Sequence, residues 1–113
     1  MSVGGASLIR RYTKVTSTAL LPELKLHLVT AQSPLWVATE HDLRAVSRDF
    51  GVDATAPFGL FAWPGGQGLT RYLLDNPSVC AGKTVLDFAC GCGSAAIAAV
   101  IGGGTKVLAN DID

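Results

Sequence analysis

No excess of charge runs through this sequence: nine acidic and nine basic side chains cancel over 113 residues. The broad positive field that draws a protein to nucleic acid is therefore missing. Acid is absent from the front altogether, since no Asp or Glu precedes Glu23, while Arg10, Arg11 and Lys14 stand there. Such a start fits a solvated first helix, and it also fits a weak organelle-targeting arm. No apolar run approaches the roughly 18 residues of a membrane span, and no apolar signal core precedes a small-residue cleavage site. The cysteines, Cys80, Cys90 and Cys92, are three, an odd number with no disulfide framework. A reducing compartment is the simpler expectation. A metal set is lacking too: structural zinc takes about four ligands, and only His27 and His41 stand ready to join the cysteines, at unhelpful spacing.

Apolar residues, by contrast, make up 49% of the chain, enough for a core. A complete doubly wound sheet is out of reach, because each strand-helix-strand unit takes roughly 30 residues or more. The last residues, Asn110-Asp111-Ile112-Asp113, fall where a second strand should hand over to its helix. The sequence is expected to be the N-terminal piece of a larger protein.

Its organising stretch is Val85 to Val100. Thr84 to Phe88 reads as a buried strand, Ala89-Cys90-Gly91-Cys92-Gly93 as a tight loop, and the Ala-rich run after Ser94 as a helix. A strand, a glycine turn and a helix start let backbone N–H groups approach a nucleotide-type ligand closely. Gly91-Cys92-Gly93-Ser94-Ala95-Ala96 fits the dinucleotide pattern G-x-G-x-x-G/A, and Asp111 follows where a ribose contact belongs. Asp87, four positions before Gly91, decides against a dinucleotide. A carboxylate at the loop mouth repels a pyrophosphate by roughly a few kcal/mol at a partly exposed site. It suits a ligand with a cationic amino group and no phosphate, such as S-adenosylmethionine.

Around this stretch the patterning predicts the following elements. Leu8, Ile9 and Tyr12 recur at helical spacing within residues 1–21, so one short helix is expected there. Leu24 to Thr30 alternates, with three leucines on one face and Lys25 and His27 on the other, as a half-buried strand does. His27 has no orienting partner in the pattern and is expected to face solvent. Ser33-Pro34 opens an amphipathic helix of about four turns, closed by a left-handed Gly51. Residues 52–57 read as a linker. The aromatic run Phe58 to Trp63, broken by Pro64-Gly65-Gly66, reads either as a buried loop or as a wall of the cofactor pocket. Gly68 to Asn76 is a helix, and Lys106 to Ala109 a second strand, parallel to the first across a crossover helix.

The string FAWPGGQGLTRYLLDNPSVCAGKTVLDFACGCGSAAIAA, with VLANDID after it and VTSTALLPELKLHLVT and LWVATEHDL before it, resembles the electron transfer flavoprotein beta-subunit lysine methyltransferase family. The resemblance implies an α/β fold: an incomplete Rossmann-like class I methyltransferase domain, holding its first two parallel strands, over residues 54–113. N-terminal helices and an extended arm, residues 1–53, would precede it. It implies S-adenosylmethionine as cofactor, a protein substrate with a target lysine, such as the flavoprotein beta subunit, and a cytoplasmic location or, alternatively, the mitochondrial matrix. By resemblance, Asp87, Gly91, Gly93 and Asp111 are cofactor contacts, with Ala89, Cys90 and Cys92 in the same loop, and Trp63, Gly65 and Gly66 line the pocket. Ala89 departs from the family of loops, which often has glycine there, and is expected to keep a strand conformation. No residue qualifies as a general base, so the catalytic group is left unassigned. A dinucleotide oxidoreductase and a non-catalytic binding module remain the alternative readings.

Overall fold

Two leucine-rich faces and one alanine-rich helix organise the molecule. The structure, a computed structural model, describes residues 3–55 and 57–112. Ala56 of the expected linker, Asp113 of the terminal NDID string, and Met1 and Ser2 lie outside the described residues. The architecture is mixed α/β with two separate two-stranded sheets.

Helix α1 (Val3–Tyr12) carries the expected Leu8 inward. Its close fit to the next helix depends on Gly4, where a Cβ would stand 1.9 Å from the Phe50 carbonyl oxygen. Strand β1 (Lys14–Thr18) follows, an element the front pattern did not announce, and pairs antiparallel with β2 (Leu21–Leu28). Strict alternation governs β2: Leu24, Leu26 and Leu28 are buried while Lys25 and His27 face out, as predicted, and the strand begins at Leu21 instead of Leu24. Burying one leucine contributes about 1.5–3 kcal/mol, so this row anchors the hairpin.

The single helix expected from Ser33 to Gly51 is two pieces. Ser33 Oγ accepts from Leu35 N and opens a short 3-10 turn, Pro34–Val37, that ends when Ala38 turns extended. Helix α2 (Glu40–Phe50) then starts afresh, because Thr39 and Asp42 form a reciprocal capping box. That box satisfies two otherwise unpaired helix-start donors, and it outcompetes continuation from Pro34. Gly51, at φ 65°, ends α2 in the left-handed conformation as expected.

Helix α3 (Pro64–Asp75) also starts earlier than the pattern indicated, so Gly65 and Gly66 belong to its first turn and not to a loop. Proline at the first helical position loses no bond by lacking an N–H. Arg71 ties α3 to the hairpin, its guanidinium donating to both carboxylate oxygens of Glu23 at 2.8 and 2.7 Å and to the Leu20 carbonyl at 3.2 Å. Strand β3 (Thr84–Phe88), helix α4 (Ser94–Ile101) and strand β4 (Lys106–Asn110) complete the chain, with β3 and β4 parallel. Helix α4 packs on α3 and on both strands of this pair.

Candidate functional site

Parallel pairing decides where the acids emerge. Asp87 lies opposite Ala109 and Phe88 opposite Asn110, so both strands end at one edge, and Cys90 N extends the ladder by donating to Asn110 O at 2.9 Å. The loop after β3 turns sharply through three left-handed residues, Ala89 (φ 57°), Gly91 (φ 55°) and Gly93 (φ 82°). Ala89 therefore does not keep the strand conformation expected of it. A Cβ in that region costs about 1–2 kcal/mol, which the bonds on either side of the turn hold in place.

Both carboxylates converge on this turn. Asp111 Oδ2 accepts from Gly91 N at 2.7 Å, and Asp87 Oδ2 accepts from Ala96 N at 3.0 Å. Gly93, the residue capping α4, has no side chain, so Asp87 supplies from the strand what a capping residue normally supplies locally. The other Asp87 oxygen, Oδ1, receives no hydrogen bond among the described residues. Burial pushes the Asp87 carboxyl above the ordinary carboxylate value; the Ala96 N–H bond opposes this and the nearby Asp111 charge adds to it. Cys90 is raised as well, first by burial and then by Asp87 and Asp111, which makes it a protonated thiol and a poor nucleophile. Cys92 packs against the leucine face of the hairpin.

In front of the turn lies a cavity of about 490 Å³. Cys90, Gly91, Ala109 and Asp111 form its inner side, and the front of the chain closes it with Gly5, Leu8, Ile9 and Asp53. Its lining holds two acids and no basic side chain. The 3-10 turn Phe58–Leu60 runs alongside, close enough that a Cβ on Gly59 would stand 3.7 Å from Gly91 Cα. These front residues escaped the pattern reading because nothing local marks a residue that meets a loop far along the chain; Asp53 is engaged locally by Thr55, whose N–H and hydroxyl both donate to its Oδ1.

The structure brings Asp87, Ala89, Cys90, Gly91, Cys92, Gly93 and Asp111 together. Of these, Cys90, Gly91 and Asp111 line that cavity, while Asp87, Ala89, Cys92 and Gly93 do not, and neither do Trp63, Gly65 and Gly66. Trp63 is 53% exposed, donates from Nε1 to the Phe58 carbonyl at 2.8 Å, and joins a row of rings with Phe58 and Phe61 at 6.3 and 5.8 Å. Gly65 and Gly66 are exposed, with open space where a Cβ would project. Thr70 and Ser94 were missed. Thr70 is 0% exposed, and its hydroxyl meets that of Ser94 at 2.8 Å, fixing α3 to the start of α4 just behind the turn. Among the described residues, no group of three or more His, Cys, Asp or Glu side chains stands ready to hold a metal ion, and no helix is long and apolar enough to cross a membrane.

Comparison with known proteins assigns the resemblance. A Caenorhabditis elegans protein named electron transfer flavoprotein beta subunit lysine methyltransferase homolog is 46% identical over 103 residues, covering 91% of this chain and 38% of its own length. The curated homologues of this chain are named electron transfer flavoprotein beta subunit lysine methyltransferase. The Xenopus laevis protein of that name is 45% identical over 95% of this chain and 40% of its own length, and the Homo sapiens protein 47% identical over 89% and 36%. The chain thus spans between 36% and 40% of the length of these curated relatives. No family profile matches it, and no solved structure does.

Proposed function

We propose that the chain forms the cofactor-binding front of an S-adenosylmethionine-dependent protein-lysine methyltransferase, built as the first two strands of a Rossmann-like class I domain over residues 54–113 behind a leader of residues 1–53. The electron transfer flavoprotein beta subunit named in its relatives is the proposed substrate. The observation that carries the cofactor reading is the pair of carboxylates on one turn, Asp87 at Ala96 N and Asp111 at Gly91 N. The cavity in front of the turn, with Asp53 and Asp111 in its lining and no base, repels a pyrophosphate and attracts a cation.

The residues present fit this cofactor. Asp87 Oδ1, beside the cavity and not in its lining, receives no hydrogen bond among the described residues and is proposed to take the cofactor's ammonium, and Asp111, which lines the cavity, to accept from the ribose hydroxyls. When bound, S-adenosylmethionine supplies an activated methyl group to a neutral amine. The chain's own part is to position the cofactor, with the apolar side chains Leu8 and Ile9 keeping water from one side of the cavity. Trp63, Gly65 and Gly66, exposed at the start of α3, are proposed to border the approach to the site.

Thermal shift separates the readings. S-adenosylhomocysteine should stabilise the protein and NAD should not; stabilisation by NAD alone rejects the assignment in favour of a dinucleotide enzyme. We further propose that the 113-residue chain alone does not turn over, since no residue among those described stands as a convincing base toward a lysine amine. Methylation of the flavoprotein beta subunit by the purified chain, read by mass spectrometry, would overturn that statement.

A further inference from the structure

A second cavity, of about 390 Å³, lies behind the same turn and shares with the first a wall of Ile9, Gly59, Leu60 and Gly91. Its charge is opposite. Arg10 from α1 and Lys25 and His27 from the outer face of β2 line it, together with Cys92 and Ile97, and no acid does. Arg10 and Lys25 form no ion pair among the described residues, whose ion pairs all lie elsewhere, at Arg44–Glu40, Arg71–Glu23 and Arg71–Asp75. His27 is held in place: Thr13 donates its hydroxyl hydrogen to Ile9 O, so the contact at 3.2 Å between Thr13 Oγ1 and His27 Nδ1 is donated by the ring. The other ring nitrogen, Nε2, is then the one left for a ligand.

We propose that Arg10, Lys25 and His27 form a binding site for a carboxylate beside the glycine turn. Two unpaired cations and an imidazole oriented by Thr13 around one concavity match a single anionic group. The ligand's identity rests on the methyl-transfer reading above, which brings two carriers of carboxylates to the turn: the acceptor protein, through an acidic side chain, and the cofactor, through its own α-carboxylate.

The test uses the 113-residue chain and its Arg10→Glu/Lys25→Glu variant, with circular dichroism to verify that the variant folds; the less drastic Lys25→Met serves if it does not. One arm measures binding of a lysine peptide flanked by glutamates against the same peptide with glutamines. The other compares S-adenosylhomocysteine with 5′-methylthioadenosine, which lacks the amino-acid end. A loss of about tenfold in glutamate-peptide affinity, with S-adenosylhomocysteine unchanged, places the acceptor's acid in the site. A similar loss for S-adenosylhomocysteine, with methylthioadenosine unchanged, places the cofactor's carboxylate there. If folded variants bind every probe as the parent does, the site is refuted. Should neither nucleoside bind the parent chain, the methyltransferase reading fails while the peptide arm still decides the carboxylate site.

Discussion

At the scale of single residues, burial and the proposed role pull the Asp87 proton in opposite directions. Burial raises its carboxyl above the ordinary value, while the Ala96 N–H bond and the proposed cation both favour the ionised form. Because the folded chain holds this proton more tightly than the unfolded chain, the group's contribution to stability is complete below the ordinary carboxylate value and is lost as pH rises through the raised one. Affinity for S-adenosylhomocysteine should run the other way, tightening as pH rises through that same window. Asp87→Asn is expected to flatten both profiles and to weaken binding by about tenfold, in calorimetry and thermal melts at a series of pH values. A binding profile with the same slope in the variant would assign the titration elsewhere. Ala89 offers a second check. Its left-handed backbone predicts that Ala89→Gly stabilises the chain by about 1 kcal/mol in urea melts, and a destabilised variant would contradict the strain.

Among elements, helix starts were the least legible, for a reason the side chains make plain. Ser33-Pro34 and Thr39-x-x-Asp42 are both valid start signals, and a one-dimensional pattern merges them into one helix. The reciprocal bonds of the second, Asp42 N to Thr39 Oγ1 at 3.2 Å and Thr39 N to Asp42 Oδ2 at 2.9 Å, separate them. The bonds that Thr39 N and the Thr39 hydroxyl donate to Asp42 Oδ2, each at 2.9 Å, hold the Asp42 carboxyl below its ordinary value, so its stabilisation is present above the ordinary value and lost as pH falls through the lowered one. Thr39→Ala should cost about 1 kcal/mol, read as a lower urea midpoint with unchanged slope; no shift would mean that the box does not define the start. Strand β2 was legible because strict alternation has one physical meaning, a buried face and a wet one. Strand β1 was not: Lys14 to Thr18 has only intermediate or exposed positions, and it is a strand because β2 lies beside it.

For the whole molecule, the uncovered face of the parallel pair matters most. Leu86, Phe88 and Leu108 are 61%, 78% and 58% exposed, and Leu86 and Leu108 are direct partners in the register. An apolar sheet face left in water favours association. The chain is expected to self-associate in sedimentation velocity, and Leu86→Lys with Leu108→Glu should return it toward a monomer. A monomeric parent chain at high concentration would show that this face is tolerated in water.

The order of the central elements, the glycine turn, the leucine face of β2 and the left-handed stop at Gly51 were determined by sequence alone, because each rests on local periodicity or on a residue's own backbone preference. Only the tertiary structure decided that Asp87 accepts from a helix N–H nine residues on, that Ala89 turns left-handed, that Thr70 meets Ser94, and that two cavities of opposite charge flank the turn. These depend on contacts between distant segments, whose partners are chosen by how the packed faces fit and not by neighbours along the chain.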